Sequence, residues 1–206
     1  MKINFQKKLE ETLKDIISSN KKPSLLLHSC CAPCSSYVLE YLSDIFKITV
    51  LYYNPNIYPE SEYQKRLKEQ KWFIDEFPVK SRIEIIDIMY NESEFLDYIK
   101  GNENDKEGGP RCFKCYELRL SKTAEIAKEK GFDYFTTTLS ISPHKNSQKL
   151  NDIGGYLSQK YGVKYLFSDF KKKEGFKRSL ILSEKYNLYR QEYCGCRFSR
   201  NKEKTV

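Results

Sequence analysis

Seven cysteines carry the most evident chemistry in this chain, and all seven fall in short, deliberate spacings. Cys30, Cys31 and Cys34 sit within the run Leu25-Leu26-Leu27-His28-Ser29-Cys30-Cys31-Ala32-Pro33-Cys34, and Cys112 and Cys115 form a Cys-x-x-Cys. Buried apolar thiols are the plain structural reading for one or two cysteines. Clustering favours two other readings: a metal or iron–sulfur site, or a dithiol redox pair at Cys31 and Cys34, which looks like a thioredoxin-type motif. Four thiolates from Cys30, Cys31, Cys34, Cys112 and Cys115 suit tetrahedral zinc or a [4Fe–4S] cluster. Adjacent cysteines are unusual for structural zinc, whereas a cuboidal cluster spaces its iron atoms widely enough to use them; five thiols for four corners leave one spare. Cys194-Gly195-Cys196 is a different object. Its sulfurs are too close for good chelation, but they can close a small, strained and easily cycled disulfide ring.

The elements that must position these thiols follow from periodicity. Leu25–Leu27 begin a short buried strand, Ser24–Ser29, and Tyr37, Val38, Tyr41, Leu42 and Ile45 recur at helical spacing beyond Cys34. The first cysteine cluster therefore occupies a strand-to-helix turn, the position where open parallel sheets bind ligands. Pro33 suits the start of that helix, and free N–H groups there favour thiolate. On a helix, Cys112 and Cys115 share one face. Further strands are predicted at Ile48–Tyr53, Ile83–Ile88, Tyr134–Thr138 and Lys164–Phe167, alternating with helices over Phe5–Ser19, Glu60–Phe77, Glu92–Lys100, the stretch from the end of the Gly101–Pro110 loop to Lys130, and Asn146–Tyr161. That alternation predicts a doubly wound, mainly parallel five-stranded α/β sheet. One domain is expected over 1–206, with an N-terminal helical addition at 1–22 and a basic, helical C-terminal segment at 168–206, helical up to Gln191 and carrying the Cys-Gly-Cys.

The 206 residues carry a net charge of +8, and from Lys171 onward 11 basic residues face 4 acidic ones. Phe176, Tyr186, Tyr189, Tyr193 and Phe198 interleave with that charge, a combination suited either to RNA or simply to a solvated tail. No apolar run reaches the roughly 20 residues of a membrane span, and the N-terminus lacks a signal-peptide pattern. The chain reads as cytoplasmic, without a membrane partner; in a reducing compartment, cysteines point to metal binding or catalysis. His28 on its apolar strand is expected to be a hydrogen-bonded core residue, and His144 is a minor candidate for substrate contact.

Taken together, Ser29-Cys30-Cys31-Ala32-Pro33-Cys34, Tyr53-Asn54-Pro55-Asn56-Ile57, Gly109-Pro110-Arg111-Cys112-Phe113-Lys114-Cys115, Thr137-Thr138-Leu139-Ser140-Ile141-Ser142-Pro143-His144-Lys145 and Tyr189-Arg190-Gln191-Glu192-Tyr193-Cys194-Gly195-Cys196 resemble the QueH-type epoxyqueuosine reductases. The resemblance spans about Ser24 to Ser199. It implies an adenine-nucleotide-hydrolase-like fold and removal of the epoxide oxygen of epoxyqueuosine at the tRNA wobble position, with electrons from an external donor. It also implies a [4Fe–4S] cluster on Cys30, Cys31, Cys112 and Cys115, and a redox-active pair at Cys194 and Cys196. At Cys34, where some members carry Asp, it implies a further metal ion, iron or zinc, beside the cluster. Two rivals predict different metal contents: a metal-free thiol–disulfide oxidoreductase using Cys31 and Cys34, and a zinc-stabilised RNA-binding domain. A third, an ATP-using tRNA-modifying enzyme of related fold, requires a glycine-rich phosphate turn that is missing after strand one.

Overall fold

The structure, a computed structural model, describes residues 3–200. Five strands, β1 (Ser24–His28), β2 (Lys47–Tyr52), β3 (Glu84–Asp87), β4 (Tyr134–Thr137) and β5 (Lys164–Tyr165), form one sheet in the order β3-β2-β1-β4-β5. All four pairings are parallel, with Leu26 opposite Thr49 on one side and Phe135 on the other. The expected doubly wound α/β fold is therefore present.

Period-two alternation sorts β1 between two cores. Leu25 and Leu27 pack with helices α1 (Phe5–Ser18), α2 (Ala32–Leu42) and α3 (Glu60–Glu76) through Leu9, Leu13, Val38, Leu39 and Phe73. Leu26 faces the other way, with Tyr116, Leu120 and Ala124 of α5 (Pro110–Glu129) and Leu150 and Leu157 of α6 (Ser147–Tyr161). The three leucines are fully buried, each contributing about 1.5–3 kcal/mol. The N-terminal helix is thus a full member of one face. Its start is fixed by Asn4, which accepts a hydrogen bond from the Lys7 amide. A short helix, α4 (Glu92–Tyr98), packs Phe95 against the Cys115 end of α5.

Thr138–Ile141 turn as a 3-10 helix directly after β4. One expectation needs correction. The C-terminal segment is not helical to Gln191: α7 spans only Gly175–Lys185, and a short α8 follows at Arg197–Arg200. Asn187, in the left-handed region at φ 49°, turns the chain out of α7. Residues 186–196 then run as an irregular strap across the carboxyl end of the sheet. Met1 and Lys2 of the N-terminal addition, and Lys202 and Lys204 of the basic excess, lie outside the described residues.

Candidate functional site

The strand order reverses beside β1, between β1 and β4, which makes the carboxyl ends of these strands the natural ligand crevice. The turn after β1 is held from below. The Ser29 amide donates to the Leu51 carbonyl at 2.9 Å, Asn54 Nδ2 donates to the Ser29 carbonyl at 2.8 Å, and Gln70 of α3 bonds both Ser29 and Ser35. Cys31 caps α2, and Pro33 occupies its first turn.

This turn gathers Cys30, Cys31 and Cys34, whose sulfurs all lie within 4.8 Å of one another. All seven cysteines are free thiols. Thiol donors at Cys31 and Cys34 push Cys30 well below the ordinary thiol range; the same coupling, with burial, raises Cys31 and Cys34. One negative charge is thus concentrated at Cys30 and shared by its neighbours. Gln191 of the strap donates to Cys31 Sγ at 3.3 Å.

Cys112 and Cys115 lie in the first turns of α5, whose start Gly109 and Pro110 set. The Gly108 amide points at Cys112 Sγ at 3.2 Å. Both cysteines line a small cavity together with Cys194 and Cys196. The structure therefore sorts the seven thiols into a group of three and a group of four. Cys34, the spare thiol of the sequence reading, belongs with Cys30 and Cys31; the Cys-Gly-Cys pair shares its cavity with Cys112 and Cys115.

Gly195 makes that pair possible. Its φ is +104°, and a Cβ there would lie 2.9 Å from Arg66 Nη1. The Gly195 carbonyl accepts from the Tyr58 amide at 2.8 Å. Arg66, 1% exposed, is paired with Glu62 at 2.6 Å. Cys194 is held well below the ordinary thiol range, first by a hydrogen bond from Cys196 and then by Lys145, whose Nζ donates to its sulfur at 2.7 Å. The Cys196 thiol is pushed up by that hydrogen bond and by burial.

A larger cavity of about 590 Å³ opens beside both groups, within the size of a small-molecule site. Cys30, Cys34 and Cys194 form its reactive wall, Ile57, Leu139 and Ile141 its apolar wall, and Phe176 and Arg190 lie at another side. Arg119 and Lys145 line both cavities. His144 lines the larger one. His28 is buried in the core between Thr137 Oγ1 (2.9 Å) and the Tyr53 carbonyl (3.1 Å), with its pKa lowered to about 4, chiefly by burial; it has the structural role expected of it.

Sequence reasoning gave no role to Arg119, Lys145, Arg66 or Gln191. Arg119 carried a signal, since it lies four residues after Cys115 and seven after Cys112 on one helix face. Lys145 reaches Cys194 across 49 residues, and Gln191 reaches Cys31 across 160; no local pattern encodes either. The basic C-terminal excess is partly spent in ion pairs, Lys171 with Asp169, Lys173 with Glu10 and Arg178 with Glu40.

Fold and site define an α/β protein whose switch-point crevice is walled by thiols and cations. A family model described as Epoxyqueuosine reductase QueH matches residues 25–202. Epoxyqueuosine reductase QueH of Streptococcus pyogenes serotype M1 is 45% identical over 197 residues, covering 95% of this chain and 77% of that protein. The proteins of the same description from Staphylococcus epidermidis (42% identity; 98% and 87% covered) and Staphylococcus aureus (41%; 96% and 84%) are similarly close. This chain belongs to the epoxyqueuosine reductase QueH family. Among solved structures, the U34-tRNA thiolase NcsA from Methanococcus maripaludis with its [4Fe-4S] cluster gives a TM-score of 0.49 at 15% identity, over 95% of this chain and 68% of that one, a likeness too loose to carry an assignment. Among the described residues no helix is long and apolar enough to cross a membrane.

Proposed function

We propose that this protein is an epoxyqueuosine reductase acting on tRNA. One observation carries the reading beyond family membership: four of the five motifs converge on one crevice, placing Cys30, Cys34, Asn56, Ser142, His144, Lys145 and Cys194 around a cavity of about 590 Å³, and Gly108 beside the fifth motif lines it too. The reaction consumes two electrons and two protons and releases the epoxide oxygen as water, leaving a carbon–carbon double bond. Oxidation of the Cys194/Cys196 pair, Cys194 as thiolate and Cys196 as thiol, to a disulfide releases two electrons and one proton, and the second proton of each turnover comes from solvent; an external donor of the dithiol class then restores the pair.

The donor set fits an iron–sulfur group: free thiols surround the crevice, and two cations, the buried Arg119 and the half-buried Lys145, face sulfur. We assign Cys30, Cys31, Cys112 and Cys115 as its ligands, and Cys34 to a further metal ion, iron or zinc. When bound, a [4Fe–4S] group supplies one-electron transfer. The chain's own residues do the rest. Lys145 holds Cys194 as thiolate at the cavity wall, and Cys196 stays protonated beneath it. The apolar wall admits the flat modified base, which an unpaired anticodon loop presents splayed out. The cationic surface, Arg190 and Lys172 included, takes the phosphates.

Metal analysis and turnover of epoxyqueuosine-containing tRNA by protein purified without oxygen test the reading. Iron and sulfide in cluster proportion are expected, and Cys30→Ala and Cys112→Ala should each lose most of both. Unchanged iron in either variant refutes the ligand assignment. Zinc alone favours the RNA-binding reading, and metal-free thiol exchange favours the oxidoreductase using Cys31 and Cys34.

A further inference from the structure

Arg119 is 3% exposed, deep on the face of α5 that carries Cys112 and Cys115. Its Nε donates to the Cys115 carbonyl of its own helix at 3.1 Å. A guanidinium stays charged in any protein environment, and a buried charge is strongly unfavourable unless paired. Two other arginines beside the thiols are buried and partnered: Arg66 has Glu62, and Arg111 has the Glu103 carbonyl at 2.6 Å and the Phe198 ring. Arg119 has no carboxylate partner among the described residues. The groups whose charge it faces are the sulfurs of Cys115, Cys194 and Cys30, and the Tyr116 hydroxyl. Lys145, which lines the same two cavities, also has sulfur as its partner and adds to the local positive charge. Arg119 and Lys145 thus both face sulfur, and Arg119 lines both cavities into which the two thiol groups open.

We propose that Arg119 is the fixed counter-ion of the sulfur-bound iron–sulfur group, a positioning residue that neutralises the group's negative charge and raises its reduction potential. The proposal rests on the cluster reading above. A cluster held by four thiolates is anionic and becomes more so on accepting an electron. Net charge and burial are among the levers that set its potential; a buried cation nearby favours the reduced form, so that electrons arriving from a thiol donor can enter it. Arginine also acts without a proton of its own to exchange, so its effect is constant across the working pH range.

The test uses full-length Arg119→Lys and Arg119→Gln purified without oxygen, with iron and sulfide per chain and the midpoint potential of the cluster as readouts. Arg119→Lys, which keeps the charge, should retain wild-type iron and a potential close to wild type. Arg119→Gln should lower the reduced-to-oxidised ratio at the wild-type midpoint by about tenfold, ~59 mV for a one-electron couple. Loss of iron from Arg119→Gln alone also supports the counter-ion role, because only charge distinguishes the retained variant. Loss from both variants overturns the proposal in favour of helix packing and the Cys115 carbonyl bond. Retained iron with an unmoved potential in Arg119→Gln, or a potential equally lowered in both variants, overturns it as well. Wild-type protein without iron and sulfide refutes the cluster reading itself, a failure read before either variant is made.

Discussion

Replacing Lys145 by Met removes the cation from Cys194 while keeping most of the side chain's volume. Two interactions hold the Cys194 thiolate, the hydrogen bond from Cys196 and the Lys145 contact at 2.7 Å. A hydrogen bond to a charged group contributes about 1.5–3 kcal/mol, and 1.36 kcal/mol corresponds to one pKa unit. Lys145→Met should therefore raise the Cys194 titration, cutting its thiolate fraction roughly 10- to 150-fold at pH values below the wild-type midpoint. The Cys196 hydrogen bond survives, so the value should remain lower than in a Lys145→Met, Cys196→Ser double variant. Alkylation of metal-free protein across pH, read by mass spectrometry of the peptide bearing Cys194, measures this directly. The linkage has a definite sign. Cys194 is lowered on folding, so its stabilisation is complete above the unfolded thiol pKa and is lost as pH falls through the folded value. Lys145 is raised on folding, so its stabilisation is complete below the unfolded amine pKa and lost as pH rises through the folded value. The Tm difference between wild type and Lys145→Met should then close as pH falls. An alkylation midpoint that does not move, or a Tm gap that widens in acid, refutes the assignment of Lys145 as the cation of Cys194.

Other perturbations separate the strap from the cluster. Cys194→Ser should keep iron content close to wild type and lower Tm, because Lys145 loses the thiolate it donates to at 2.7 Å, and turnover with a thiol donor should fall; iron loss would make Cys194 a ligand. Gly195→Ala places a Cβ 2.9 Å from Arg66 Nη1 at a φ of +104°, and at about 1–3 kcal/mol it should lower Tm by several degrees, which calorimetry checks; an unchanged Tm would mean that the strap is not docked as described. Reversing Lys171, Lys172 and Lys173 to Glu should weaken tRNA binding and flatten its salt dependence. Because Lys171 and Lys173 are already paired with Asp169 and Glu10, Lys172→Glu alone should reproduce much of the loss; filter binding at two salt concentrations decides it, and equal affinities place the RNA surface elsewhere.

The strand–helix alternation was legible in the sequence because it is local. The Leu25–Leu27 run, the stop at Pro78 and the Pro33 helix start each act within a few residues. The position of the cysteine turn at the carboxyl edge was legible for the same reason, as was the core role of His28. The C-terminal segment was not. Its helical periodicity continues past Lys185, but the Tyr189 amide finds Glu69 of α3, Gln191 finds Cys31, and the Gly195 carbonyl finds the Tyr58 amide. These tertiary hydrogen bonds outweigh a helix propensity of a few tenths of a kcal/mol per residue. The grouping of the thiols had the same origin. Spacing alone set Cys194 and Cys196 apart as a separate pair, and only the strap's path brings them to the cavity of Cys112 and Cys115, where Lys145 and Arg119 supply charge that no sequence interval encodes.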